Sequence, residues 1–452
     1  MTSFVMQRAS LMLATVCCAF HSAVQAGFVD DGKGSLELRN FYFDRDFHGD
    51  SATQSRRGEW AQGFLLKLQS GFTPGPLGFG LDAVGMLGIK LDSSPDRSGS
   101  GLLPRGADKH AVDDYSKAVG TFKARLSQTE LRVGGLSPQL PLLAANNSRL
   151  FPQWFKGAQL VSKDLDNVTF TALEVDATKL RDSTDFEDLT AMAQQGAYPA
   201  SVTSDRLYYA GADYQPLKNL TLSLHTSQLE DLFRRDFAGL KYKIGIGPGD
   251  VFTEWRYFSA RETGRELLGK VDNRTLSTHF GYSIKGHTFS GGYQKVRGDT
   301  AYAYVGGTDT YLFSEQQVST FALANERAWM MRYDYDFATL GVPGLTFNLR
   351  YVKGDQVDPT AINTVKAGGL RASGGEGEEW ERTTDLSYVI QSGALKNVSL
   401  RWRNATMRSN CADAADEHRV HRPARPFERV VCTESARSIR VAARPTADVA
   451  PR

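Results

Sequence analysis

The chain has 452 residues and a formal net charge of +2, from 53 Lys and Arg against 51 Asp and Glu. Residues 419–452 hold eight Arg against three acidic residues, so residues 27–418 are mildly acidic, 44 basic against 48 acidic. That body argues against a nucleic-acid partner, and the absence of cysteine between residues 27 and 410 excludes disulfides and thiolate metal sites there.

The first element is a secretory signal peptide over residues 1–26. Arg8 supplies its positive region, Ala9 to Phe20 its apolar run, and Val24-Gln25-Ala26 a small-residue cleavage site. The run is too short to span a bilayer as a helix. No later segment reaches eighteen consecutive apolar residues, which leaves strands as the only route across a membrane.

From residue 27 the sequence alternates. Seventeen strands are expected, near 35–43, 60–72, 76–91, 117–127, 129–135, 156–163, 167–177, 205–215, 219–229, 234–244, 251–261, 273–284, 286–297, 327–339, 343–353, 380–391 and 397–408. In 77–91 the odd positions are Leu77, Phe79, Leu81, Ala83, Gly85, Leu87, Ile89 and Leu91, while the even ones include Gly78, Gly80, Asp82 and Lys90. Successive strand side chains point to opposite faces, so one face is wholly apolar. Val398, Leu400 and Trp402 oppose Ser399, Arg401 and Arg403 in the same way. A soluble antiparallel sandwich also alternates. Loop lengths separate the two readings. Connections alternate between long (44–59, 92–116, 136–155, 178–204, 298–326, 354–379) and short (Thr73-Pro74-Gly75, Pro216-Leu217-Lys218, Leu340-Gly341-Val342). One rim of turns and one of loops is the asymmetry of outer-membrane barrels.

Several phrases then resemble a known family, the OprD-type substrate-specific porins of Gram-negative outer membranes. They are Leu36-Glu37-Leu38-Arg39-Asn40-Phe41-Tyr42-Phe43, Ser148-Arg149-Leu150-Phe151-Pro152-Gln153, Tyr293-Gln294-Lys295-Val296-Arg297-Gly298-Asp299 and Gly341-Val342-Pro343-Gly344-Leu345-Thr346-Phe347. The resemblance covers about 27–418. It implies an all-β, transmembrane antiparallel β-barrel of eighteen strands, about seventeen of them recognisable here. It further implies a monomer or loose trimer in outer-membrane lipid, inserted by the barrel-assembly machinery. The solutes implied are small anions, carboxylate-bearing aromatic acids or amino acids, with no cofactor and no metal. Ser183-Thr184-Asp185-Phe186-Glu187-Asp188 and Gly307-Thr308-Asp309 look more like the aromatic-carboxylate branch than the basic-amino-acid branch.

Parity reads the lumen independently. If the apolar sets face lipid, the opposite parity points inward. The candidate solute-binding track is then Arg39, Arg45, Lys67, Lys123, Arg125, Arg132, Arg350, Arg401 and Arg403. Such a track concentrates anions, and the arginine fork suits carboxylates. The plainer reading is wet lumen residues paired with Glu37, Asp82 and Glu130. Arg401 and Arg403 match the Arg-x-Arg of the family's basic ladder, whereas Ser387 stands where some members have a lysine. The segment 136–155, with Pro138, Leu140, Pro141, Leu142 and Leu143, is too apolar for a solvated loop. It is expected to fold inward, as the matching family loop does, with Ser148 and Arg149 at the constriction.

No Gly-x-Ser-x-Gly or His-Glu-x-x-His motif is present. The alternatives are a β-barrel enzyme or binding protein, or a porin product put out of frame. The last alternative rests on 419–452, an Arg/Ala/Pro-rich tail read as aberrant and disordered, with a reading-frame change expected near Arg419–His421. Pro423 and Pro426 would remove ladder donors where a last strand should run, and Arg452 lacks the terminal aromatic that the resemblance implies.

Overall fold

The computed structural model describes residues 27–47, 54–194, 198–199, 201–358, 376–409 and 428–442, the last stretch as backbone alone. The signal-peptide expectation, residues 1–26, lies outside the described residues.

Eighteen long strands form one antiparallel sheet. They are β1 Lys33–Phe47, β2 Arg56–Gln69, β3 Leu77–Asp92, β4 Asp114–Leu126, β5 Thr129–Leu136, β6 Trp154–Ser162, β7 Val168–Lys179, β8 Leu207–Leu217 and β9 Leu220–Leu229. The second half is β10 Phe233–Ile246, β11 Gly249–Glu262, β12 Asp272–Ile284, β13 His287–Arg297, β14 Arg327–Asp336, β15 Leu345–Val357, β16 Gly377–Val389, β17 Val398–Ser409 and β18 Glu428–Ala442. Each pairs with its chain neighbour, and β18 pairs with β1 from Lys33↔Ala442 to Phe47↔Glu428. The sheet is therefore a closed barrel, which removes the open edge that lipid cannot satisfy.

The alternation decides which face is which. Leu77, Phe79, Leu81, Leu87, Ile89 and Leu91 are exposed, as are Leu400 and Trp402. In a soluble protein such a continuous apolar exterior would be untenable; here it is the lipid face. Inward residues include Phe41, Phe43, Leu65 and Met86, buried in one cluster with Leu150 and Phe151. The interior is thus partly filled, not an open tube.

Two strand expectations are corrected. The segment 327–339 ends early as a strand, because Asp336 caps a 3₁₀ turn over Phe337–Leu340 and Gly341 closes it at φ 80°. A left-handed residue there favours glycine. More consequentially, the sequence reading stopped at seventeen strands, whereas Glu428–Ala442 forms an eighteenth. The two prolines that argued against a strand, Pro423 and Pro426, lie upstream of it in residues outside the described set. Residues 428–442 contain neither Pro nor Gly and include Val430, Val431, Thr433, Ile439 and Val441. β-branched residues suit a pleated backbone, and ladder pairing needs only main-chain groups.

Candidate solute pathway

One long loop was expected to fold into the barrel; among the described residues others pack inside with it, and three of these loops meet one another. The first, 137–153, carries a small hairpin in which Gln139–Leu140 pairs with Leu143–Ala144. Its C-terminal end is seated by Leu150 and Phe151, buried against Phe41, Phe43 and Leu65 of β1 and β2. Room for that end is made by Gly63 on β2, where a Cβ would stand 3.0 Å from Leu150 Cδ1. Its hairpin turn is seated by Leu142 and Leu143 in a second cluster with Phe155, Val175 and Tyr302. The apolar residues of this loop are therefore buried by packing.

The second loop, of which 180–194 are described continuously, and the third, 298–326, were missed. Leu189–Met192 pairs antiparallel with Tyr304–Val305, and Gly306 N–H donates to Thr190 O at 2.8 Å. The third loop is joined to the first by Asp309 N–H to Ala144 O at 2.9 Å and by Asn146 Nδ2 to Asp309 Oδ1 at 2.5 Å. Gln153 Nε2 donates to Gly306 O at 3.0 Å. The missed signal was the run Ala301-Tyr302-Ala303-Tyr304-Val305, buried throughout. It meets the same criterion that identified 136–155.

Charged groups gather where the loops meet the wall. Arg39 on β1 pairs with Glu37 at 2.7 Å. It also donates to Arg149 O at 2.6 Å and Asn147 Oδ1 at 3.1 Å. Arg149 itself donates through Nε to Ser100 O at 3.0 Å, and its guanidinium lies 4.6 Å from the Phe43 ring centroid. Ser148 accepts from Arg181 Nη1 at 2.7 Å. Arg181 and Asp309 belong to this group but were not expected. Burial pulls the Arg181 guanidinium down from its ordinary range, against the pull of Asp182 and Asp309. Burial likewise raises the Asp309 carboxyl, opposed by Arg181 and Arg149. Behind it, burial and the Asp309 charge push the Glu315 carboxyl up to about 7. Glu315 accepts from Thr310 N–H at 2.9 Å and Thr310 Oγ1 at 2.7 Å.

Along β14 to β17 lies a cavity of about 560 Å³. Four arginines line it, Arg332, Arg350, Arg401 and Arg403, against three aspartates, Asp334, Asp336 and Asp385. Asp385 holds both Arg401 Nη2, at 2.7 Å, and Arg403 Nε, at 2.6 Å. Arg332 grips Asp334 with two bonds of 2.7 Å. Arg350 Nε is buried without a partner, and its Nη1 reaches only Phe313 O at 3.5 Å. The lining has one surplus positive charge. Arg350, Arg401 and Arg403 lie three to five residues from the short-turn ends of β15 and β17, roughly 10–17 Å along the strand.

The other expected residues do not converge with these. Lys67, Lys123, Arg125 and Arg132 sit near the short-turn rim of β2, β4 and β5. Lys123 is buried, bound to Asp82 at 2.6 Å and to Ser70 O at 3.1 Å, so it faces no open path. Lys67 lies 3.8 Å from Glu37, and Arg132 pairs with Glu130 at 2.5 Å. Arg125 lies 4.2 Å from the Phe72 ring centroid. Arg45, near the long-loop end of β1, lies 4.7 Å from the Phe47 ring centroid. A local rule underlies much of the pairing. Glu37/Arg39, Glu130/Arg132, Glu254/Arg256 and Arg332/Asp334 are ion pairs two residues apart. Residues at i and i+2 share a strand face, so this neutralisation is written into the sequence.

The family described as outer membrane porin, OprD family, matches residues 26–422. The chain is 36% identical over 395 residues to Porin D of Pseudomonas aeruginosa, covering 85% of this chain and 87% of that one. The solved structure of OccK9 (OpdG) of P. aeruginosa superposes with a TM-score of 0.82 at 40% identity, covering 91% of this chain and all of that one. OpdK of P. aeruginosa, solved with vanillate, gives 0.81 at 35% identity, covering 92% of this chain and all of that one.

Proposed function

Because the chain belongs to the OprD family of outer-membrane porins, we propose that it is a channel selective for small carboxylate-bearing solutes, aromatic acids or amino acids. The protein resides in the outer membrane, and its relatives are porins, not enzymes. The observation that carries the proposal is the cavity with one surplus positive charge, in which Arg401 and Arg403 share Asp385 and Arg350 Nε stands unpartnered. An entering carboxylate takes the place of shared Asp385 bonds or meets Arg350, and gains charge-assisted hydrogen bonds. Arg39, Arg149 and Arg181 meet it first at the narrow zone. Vanillate, the ligand of the OpdK structure, is an aromatic carboxylate of the kind proposed.

Liposome swelling with benzoate and with a neutral sugar of similar size tests the reading. Arg401→Ala with Arg403→Ala should slow benzoate entry roughly tenfold, the worth of one lost charge-assisted bond, and leave the sugar unchanged. Equal slowing of both solutes would make the pair structural.

A second reading concerns residues 419–452. We infer that they come from a changed reading frame and that β18 replaces a better closing strand. Two observations support this: the family match ends at residue 422, and the β18 register sets Arg437 opposite both Leu38 and Val398, on the lipid parity. Restoring the alternate frame should increase the heat-modifiable, folded fraction in outer membranes. An unchanged fraction refutes the inference.

A further inference from the structure

The lipid-facing rim is electrically divided. On the long-loop rim of β10 to β14, the outward parity carries Arg234, Arg261, Arg274, Lys295, Arg297 and Arg327. Three of the cross-strand pairs join like charges directly: Arg234↔Arg261, Arg274↔Arg297 and Lys295↔Arg327. Such pairs repel and weaken a sheet unless an anion lies between them. Nearby carboxylates relieve only part of the arc. Asp236 takes Arg234 at 3.2 Å, Asp355 takes Arg327 with two bonds of 2.9 Å, and Asp272 on β12, of the same outward parity, stands directly across from Arg261. Arg261, Arg274 and Arg297 have no ion-pair partner among the described residues. Across the barrel, the same rim of β1 to β4 carries Asp44, Asp46 and Asp114 on the outward parity, against Arg56.

Depth identifies the occupant. On the membrane side of the cations stand exposed Trp255, Tyr257 and Trp329, two to six residues further along the same strand faces. Exposed aromatics mark the boundary between acyl chains and head groups. The cations therefore lie at head-group level, on the side of the long loops, which is the outer leaflet. Planar guanidinium forks suit phosphate oxygens, and clustered cations beside a membrane select anionic head groups.

We propose that this arc docks the phosphate groups of an outer-leaflet glycolipid of the lipid A type, whose acyl chains lie along the aromatic face below. The unpartnered Arg274↔Arg297 pair and Arg261 hold the phosphates, and the lipid's charge removes the repulsion within the sheet. The acidic arc repels the same lipid, so the barrel is ringed on one side only. The inference is independent of which solute the lumen passes.

Native mass spectrometry of the folded protein in detergent tests this, with bisphosphorylated lipid A, its phosphate-free form and phosphatidylglycerol as probes. The expected result is retention of bisphosphorylated lipid A in preference to both others. Arg261→Gln, Arg274→Gln and Arg297→Gln together should lower that retention roughly a hundredfold, since each surface cation is worth about a fivefold factor at an anionic surface. Arg56→Gln on the acidic arc should not change it. Equal retention of the phosphate-free form overturns the proposal in the unaltered protein, whatever the variant does. Equal retention of phosphatidylglycerol overturns the glycolipid assignment. Lipid-independent dimers lost in the triple variant would assign the arc to a second copy instead, and also overturn it.

Discussion

The proposed narrow zone and the arginine cavity are held in place by different physics. In the cavity, side chains stand on strands and are oriented by partners on the same or the adjacent strand, as Asp385 orients Arg401 and Arg403. In the narrow zone, all the side chains but Arg39 stand on loops whose own ladders are only two residues long. These are fixed by buried anchors such as Leu150 and Phe151, and by loop-to-loop bonds such as Asn146 to Asp309. The cavity should therefore respond to charge changes, while the narrow zone should respond to packing changes.

The largest effect is expected from unseating a loop. Leu150→Ala with Phe151→Ala removes about 5 kcal/mol or more of buried contact, while the barrel ladder stays intact. Single-channel conductance should rise several-fold with heat-modifiable mobility retained. An unchanged conductance would mean that the loop does not limit the path. Arg149→Ala should raise conductance less, since Arg149 braces the loop by polar and ring contacts, among them Ser100 O and the Phe43 ring, while Leu150 and Phe151 stay seated.

A charge change in the cavity should act on selectivity instead. Asp385→Asn frees both Arg401 and Arg403, and charge-assisted bonds are each worth about 1.5–3 kcal/mol. Reversal potentials in a salt gradient should move towards anions, with conductance near the unaltered value. A rise in conductance without a change in selectivity would erase the contrast between the two regions.

The smallest effect is a pH dependence confined to the narrow zone. The Glu315 carboxyl is raised to about 7 when its loop is seated, from an ordinary 4.5. The seated loop thus retains a proton that the unseated loop gives up above about pH 4.5. Seating is strongest below that pH, weakens between about 4.5 and 7, and has lost this contribution above about 7. Conductance fluctuations should become more frequent from pH 5 to pH 8, and Glu315→Gln should flatten the dependence. A steeper dependence in the Gln variant would assign the titration elsewhere.

Much of the barrel was legible because the period of two is local. The expected strand at 76–91 is observed at Leu77–Asp92, and that at 273–284 at Asp272–Ile284. The i, i+2 ion pairs were equally legible, since Glu37 and Arg39 need only one strand to meet. Parity alone could not separate Lys123, buried against Asp82, from Arg401, which lines the cavity. Both point inward, and only the filling of the interior distinguishes them.

The sequence by itself determined the class of fold, the lipid and lumen faces, the rim of turns and the rim of loops. Each follows from alternation and spacing along a single strand or turn. Tertiary structure alone decided that further loops pack with 137–153, and that Arg181 and Asp309 join Arg39 and Arg149. It also decided that residues 428–442 close the sheet against β1. These contacts link residues 33 to 163 positions apart, or the two ends of the chain. Their free energy comes from burial and from satisfying backbone groups inside a closed barrel, which no local pattern encodes.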